Sequence, residues 1–126
     1  MRVGKTRFCI VETMAMSKDG KPLVGLFYEP TELSGYKGVE LSGYPYVILW
    51  NEKYLISKNC DGNDTIITSY DIINQDSVNM STGEITGMCT FKTVADYMSY
   101  LRQIGLSESS MNQMDNHISL WKRIFK

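Results

Sequence analysis

The sequence is short of the residues from which reactive sites are built. Its 126 residues hold one histidine, His117, and three cysteines, Cys9, Cys60 and Cys89. A structural zinc site takes about four Cys or His ligands in closely spaced pairs, which this set does not provide. There is no GxSxG elbow to expose a nucleophilic serine, and no cofactor fingerprint. No charge of one sign prevails: thirteen Lys and Arg stand against fourteen Asp and Glu, a net charge of −1. The basic surplus of a binder of long nucleic acid is therefore missing. No apolar run reaches the ~18 residues of a membrane-spanning helix. The basic start, Arg2, Lys5 and Arg7, is not followed by an apolar run long enough for a secretory signal before Glu12. A cytoplasmic location is the expectation.

Three widely spaced cysteines in such a chain are expected to be reduced thiols. Cys9 and Cys89 lie in strand-like stretches and are expected in the core. Cys60 precedes a turn cluster and is expected at the surface. Between Asn59 and Phe91 no Lys or Arg occurs, while Asp61, Asp64, Asp71, Asp76 and Glu84 do. These acids read as a solvated edge beside the basic first hairpin. The sharper alternative is an acidic pair or a divalent-metal site, but the letters Asp61-Gly62-Asn63-Asp64 fail the calcium-loop register, with Ile72 at the twelfth position.

What the chain does have is β-pattern followed by helix-pattern. Residues 6 to 16 and 22 to 28 are rich in strand formers and flank Asp19-Gly20, a strong hairpin signal. Tyr46–Trp50 is a near-continuous apolar run, expected as a central strand buried on both faces. Tyr54–Lys58 returns beside it, and Thr65–Ile73 and Glu84–Phe91 supply further strands. Thr93 and Asp96 then form a capping box. Val94, Tyr97, Leu101 and Ile104 follow at helical spacing, and Gly105 suits a helix C-terminus. A second helix is expected from Ser107 onward, with Met111, Met114, Ile118, Trp121 and Phe125 as its apolar stripe and Lys122, Arg123 and Lys126 in its last turns. Strands first and helices after argue for one α+β domain over residues 1–126: a β-rich part, 1–91, then a helical pair, 92–126. The sheet is expected to be antiparallel and twisted, or a partly open barrel, with about five to seven strands.

Tyrosine is abundant, with eight in the chain, and Tyr28, Tyr36, Tyr44 and Tyr46 fall close together. The connection around them echoes itself, Glu32-Leu33-Ser34-Gly35-Tyr36 recurring as Glu40-Leu41-Ser42-Gly43-Tyr44. Tyrosine offers rigid amphipathic area, while serine and glycine let a loop conform, which is the composition of recognition loops. The leading expectation is a non-enzymatic binding protein of the inhibitor, immunity or mobile-element accessory kind. It captures or blocks a protein target with Tyr36 and Tyr44 as anchors. A second reading is a sponge for a small nucleotide-like signal. There Tyr36 and Tyr44 stack the base and Arg7, Arg102 and Arg123 hold the phosphates, in a pocket that an oligomer interface completes. A third is a small enzyme using His117 or an acidic pair. No cofactor, metal, catalytic residue, membrane or long nucleic acid is expected, and the C-terminal stripe offers a surface for a homo-oligomer.

Overall fold

In the computed structural model the described residues are 2–3, 7–16, 22–31, 35–61 and 66–115. They form three layers. The first is a four-stranded antiparallel sheet of β1 (Arg2–Val3), β2 (Phe8–Met16), β3 (Pro22–Tyr28) and β4 (Lys37–Gly38), in that order. The second is a five-stranded antiparallel sheet of β5 (Tyr44–Trp50), β6 (Tyr54–Cys60), β7 (Ser69–Asn74), β8 (Met88–Phe91) and β9 (Asn112–Asp115), ordered β8-β7-β6-β5-β9. The third is one helix, α1 (Val94–Ile104). The expected α+β, antiparallel character holds, but the strands make two open sheets instead of a barrel.

The larger sheet is covered on both faces, and its sequence explains why. Side chains alternate across a strand, so a pair of neighbouring apolar residues serves both faces at once. Ile48, Leu55 and Ile73 point toward the small sheet, where they join Phe8, Ile10, Val24, Leu26 and Tyr28. Leu49, Ile56 and Ile72 point toward α1, where they join Tyr97 and Leu101. The register agrees, since Leu49 faces Ile56 and Ile56 faces Ile72. The apolar run before Trp50 is therefore buried on both sides, as expected, but it is not central: β6 is the middle strand and β9 lies outside β5.

β2 and β3 pair antiparallel as expected, with Phe8 opposite Tyr28 and their rings edge-on at 5.0 Å, while the expected turn residues Asp19 and Gly20 lie outside the described residues. The β5–β6 turn is closed by Asn51, whose Oδ1 accepts from the backbone N–H groups of Lys53 at 2.8 Å and Tyr54 at 2.7 Å. Buried Gln75 plugs it from behind, donating from Nε2 to the carbonyls of Asn51 and Tyr54. The first helix is capped as expected: Thr93 Oγ1 accepts from the Asp96 N–H, and Gly105 adopts φ 69°.

The second helix is not there in the described part. Glu108–Ser110 make a single 3₁₀ turn, and Asn112–Asp115 then pair with β5, Met114 opposite Ile48. Pairing with the β5 edge satisfies the backbone groups of both strands, and it sinks Met114 into the core between the sheets. Tertiary pairing overrides the helical spacing of Met111 and Met114. The rest of the stripe, Ile118, Trp121 and Phe125, lies outside the described residues, as do His117 and Arg123. No described helix is long and apolar enough to cross a membrane.

Candidate functional site

The echoed pentapeptides turn out to be used differently. Gly35 adopts φ 83°, a left-handed conformation that glycine takes without strain. Gly43 is not left-handed. It is needed for close approach, because a Cβ there would lie 2.9 Å from both the Asn59 Cβ and the Cys60 carbonyl oxygen. The connection between them is pinned at two points. The Val39 N–H donates to the Leu26 carbonyl at 2.9 Å. Ser42 docks on β7, where its backbone N–H and its hydroxyl each donate to Asp71 Oδ2 at 2.8 Å.

Asp71 is the centre of that junction. It is 0% exposed. Its Oδ2 also accepts from Asn59 Nδ2 at 2.8 Å, and its Oδ1 accepts from the Thr90 hydroxyl. Asn59 in turn accepts from Ser57 and donates to Ser69. Period two puts Ser57 and Asn59 of β6 and Ser69 and Asp71 of β7 on the face that also carries Leu55 and Ile73. This is a polar end to the core between the sheets, closed over by residues 40–43. A buried carboxylate is tolerated because its lone pairs are matched by donors. Asp71 is therefore not part of a solvated acidic edge. Asp61, Asp76 and Glu84 are exposed, and Asp64 lies outside the described residues. No group of three His, Cys, Asp or Glu converges among the described residues.

On this pinned connection the two tyrosines stay in water. Tyr36 is 56% exposed just before β4, and Tyr44 is 36% exposed at the start of β5. The arginines lie elsewhere. Arg7 braces the base of the first hairpin, donating from its guanidinium to the Glu29 carbonyl at 3.0 Å while its own carbonyl accepts from the Glu29 N–H. It lines a hollow of about 340 Å³ with Tyr28, Gln75 and Asp76. Burial raises the Tyr28 phenol above its ordinary pKa, and the Arg7 charge opposes that. Arg102 lies on α1 at the rim of a separate cleft of about 510 Å³. Neither cavity is lined by Tyr36 or Tyr44.

The α1 cleft is a feature that sequence reasoning missed. Its floor is Lys58, Tyr70 and Tyr97, its walls Val94, Met98, Leu101 and Leu106, and its far side Ser107–Ser109. Tyr70 and Tyr97 stack at 4.3 Å with 13° between their planes. The Tyr97 hydroxyl donates to Glu108 Oε2 at 2.6 Å, and Lys58 Nζ lies 2.7 Å from Glu108 Oε1. Burial, reinforced by the Glu108 carboxylate, pushes the Tyr97 phenol far above its usual range, so it stays protonated and holds Glu108 instead of acting as a base. Phenol, carboxylate and ammonium satisfy one another and fix the loop that closes the cleft. The sequence signal for it was the helical spacing of Val94, Met98 and Arg102, four residues apart on one face of α1.

Two cysteines exchange their expected places. Cys60 is the last residue of β6 and is buried, because the strand runs past Lys58 into the turn cluster. Cys89 sits on β8, an edge strand of the large sheet, and is exposed. Its Sγ lies 3.8 Å from the Tyr100 hydroxyl, a contact that raises the Tyr100 pKa, with burial adding to it. Cys9 is buried as expected.

No protein-family model, no curated protein and no solved structure matches the chain.

Proposed function

We propose that the protein is a non-enzymatic binding protein that captures or blocks a protein target through the surface carrying Tyr36 and Tyr44. The observation that supports this reading is the combination of exposed rings and a fastened backbone. Aromatic anchors bind best when little freedom is lost on association. Here the connection between them is held to the small sheet through Val39 and to the large sheet through Ser42 and Asp71. The satisfied state of Asp71 and of the Tyr97–Glu108–Lys58 set favours binding over acid–base chemistry. Each of those groups has its proton or charge committed to a neighbour.

The test compares three immobilised proteins in capture from native extract: wild type, the Tyr36→Ala, Tyr44→Ala double variant, and Glu52→Ala. Glu52 is exposed in the turn just past Trp50, the far end of β5, which spans about 20 Å from Tyr44 at ~3.3 Å per residue. One polypeptide retained by wild type and Glu52→Ala, and lost by the double variant at unchanged melting temperature, is the expected result. Equal retention by all three, or by none, refutes the reading.

A further inference from the structure

We infer that the cleft beside α1 is the docking site of this chain's own C-terminal segment, residues 116–126, acting within the same molecule. The inference is independent of the tyrosine surface.

Register is the first support. Asp115 pairs with Val47, Val47 with Lys58, and Lys58 with Tyr70, so these four stand in one row across the large sheet. Lys58 and Tyr70 are the floor of the cleft. The chain thus leaves β9 in the row that forms that floor, two strand spacings from Lys58, or about 10 Å. Chemistry is the second support. The cleft wall leaves Val94 60% and Met98 38% exposed, and half-buried Leu106 lines it with them. Apolar side chains grouped in this way mark a contact surface, and methionine accommodates irregular partners. The eleven residues after Asp115 include Ile118, Leu120, Trp121, Ile124 and Phe125. Reach is the third support. Eleven residues span about 16 Å as a helix and ~36 Å extended, so either form crosses the gap. A tethered segment so close to its groove also has a high effective concentration there, which favours it over a free partner.

The experiment reads proximity in the full-length chain. A nitroxide is attached at Arg102→Cys, on the cleft rim, in a Cys89→Ser background that removes the exposed thiol. Trp50→Phe leaves Trp121 as the one indole. The expected result is loss of the Trp121 indole resonance in dilute protein, restored when the nitroxide is reduced. Loss seen only when spin-labelled chains are mixed with isotope-labelled ones overturns the inference in favour of a second copy. An undiminished resonance overturns it outright. A second measurement uses Met98→Cys in the same Cys89→Ser background: its labelling by a thiol reagent should be severalfold faster when Trp121→Ser is added, with the helical circular dichroism unchanged. An unaltered rate counts against the inference.

Discussion

The Ser42–Asp71 junction and the α1 cleft lie on opposite faces of the same sheet and solve opposite problems. At the junction polar groups are buried, and the Asp71 carboxylate accepts from the Ser42 N–H and hydroxyl, the Asn59 amide and the Thr90 hydroxyl. At the cleft apolar groups are left in the open beside a closed polar set. The first arrangement fixes geometry, because a buried hydrogen-bonded carboxylate admits few alternative placements of its donors. The second leaves contact area unused. Rigidity and adhesion have been assigned to different faces, with the large sheet carrying both.

That contrast is most sharply broken at Asp71. Asp71→Ala strands the Ser42 backbone N–H and leaves the Asn59 amide group with only its longer contacts to Ser42 and Ser69. Removing one member of a buried charged network costs roughly 3 kcal/mol or more. Chemical denaturation should show the loss as a lowered midpoint with an unchanged slope. Ser42→Ala removes the hydroxyl but keeps the backbone N–H on Asp71, so about 1.5 kcal/mol is expected. If the two variants lose equal stability, the carboxylate is not the hub.

Across the sheet the effect should be smaller and pH-dependent. Tyr97→Phe deletes the hydrogen bond to Glu108 but keeps the ring on Tyr70, so about 1 kcal/mol is expected at neutral pH. The Tyr97 phenol is raised above its ordinary value by burial and by Glu108. Its folded pKa exceeds the unfolded one, so its contribution is complete below pH ~10 and falls as pH rises beyond that. Thermal melts should therefore show the wild type converging on Tyr97→Phe in alkali. A gap that widens with alkali would contradict the assignment.

How much of this was readable from the sequence depends on whether the signal was local. The cap at Thr93 and the Gly105 terminus were legible because neighbouring residues determine them, and the pairing of β2 with β3 was legible from two adjacent runs of strand formers. The two-faced strand at Ile48 and Leu49 was legible from its unbroken apolarity. Asp71 was misread because burial of an acid depends on partners twelve to twenty-nine positions away, at Asn59, Thr90 and Ser42. Their period-two spacing, Ser57 with Asn59 and Ser69 with Asp71, was the available clue. Met114 was misread because a step of three puts Met111 and Met114 on one face of a helix but on opposite faces of an extended chain, and only the β5 edge decides between the two. The tyrosines of the candidate surface were legible as composition, and their fixed setting was not. Cys60 and Cys89 were exchanged because strand ends and sheet edges are set by the fold. Cys89 should accordingly be the first thiol to react with a disulfide reagent in the native state, with Cys9 and Cys60 following only on unfolding. Mass analysis of the modified peptide checks this.

The smallest expected change in stability belongs to the residues proposed to matter most for binding. Tyr36 is more than half exposed and precedes a two-residue strand, so Tyr36→Ala should alter stability by less than about 0.5 kcal/mol. Tyr44 sits next to Gly43 and pairs with Cys60, so its backbone is committed, while the residue keeps 36% of its surface exposed. Tyr44→Ala should keep the β5–β6 register and cost little more. Loss of an aromatic anchor at an interface, by contrast, costs ~2 kcal/mol, about thirtyfold in affinity. Stability and binding should therefore separate cleanly in the double variant. If its melting temperature instead falls as far as that of Ser42→Ala, the rings belong to the junction. The connection would then be a structural strap, whose exposed tyrosines only shield the polar end of the core.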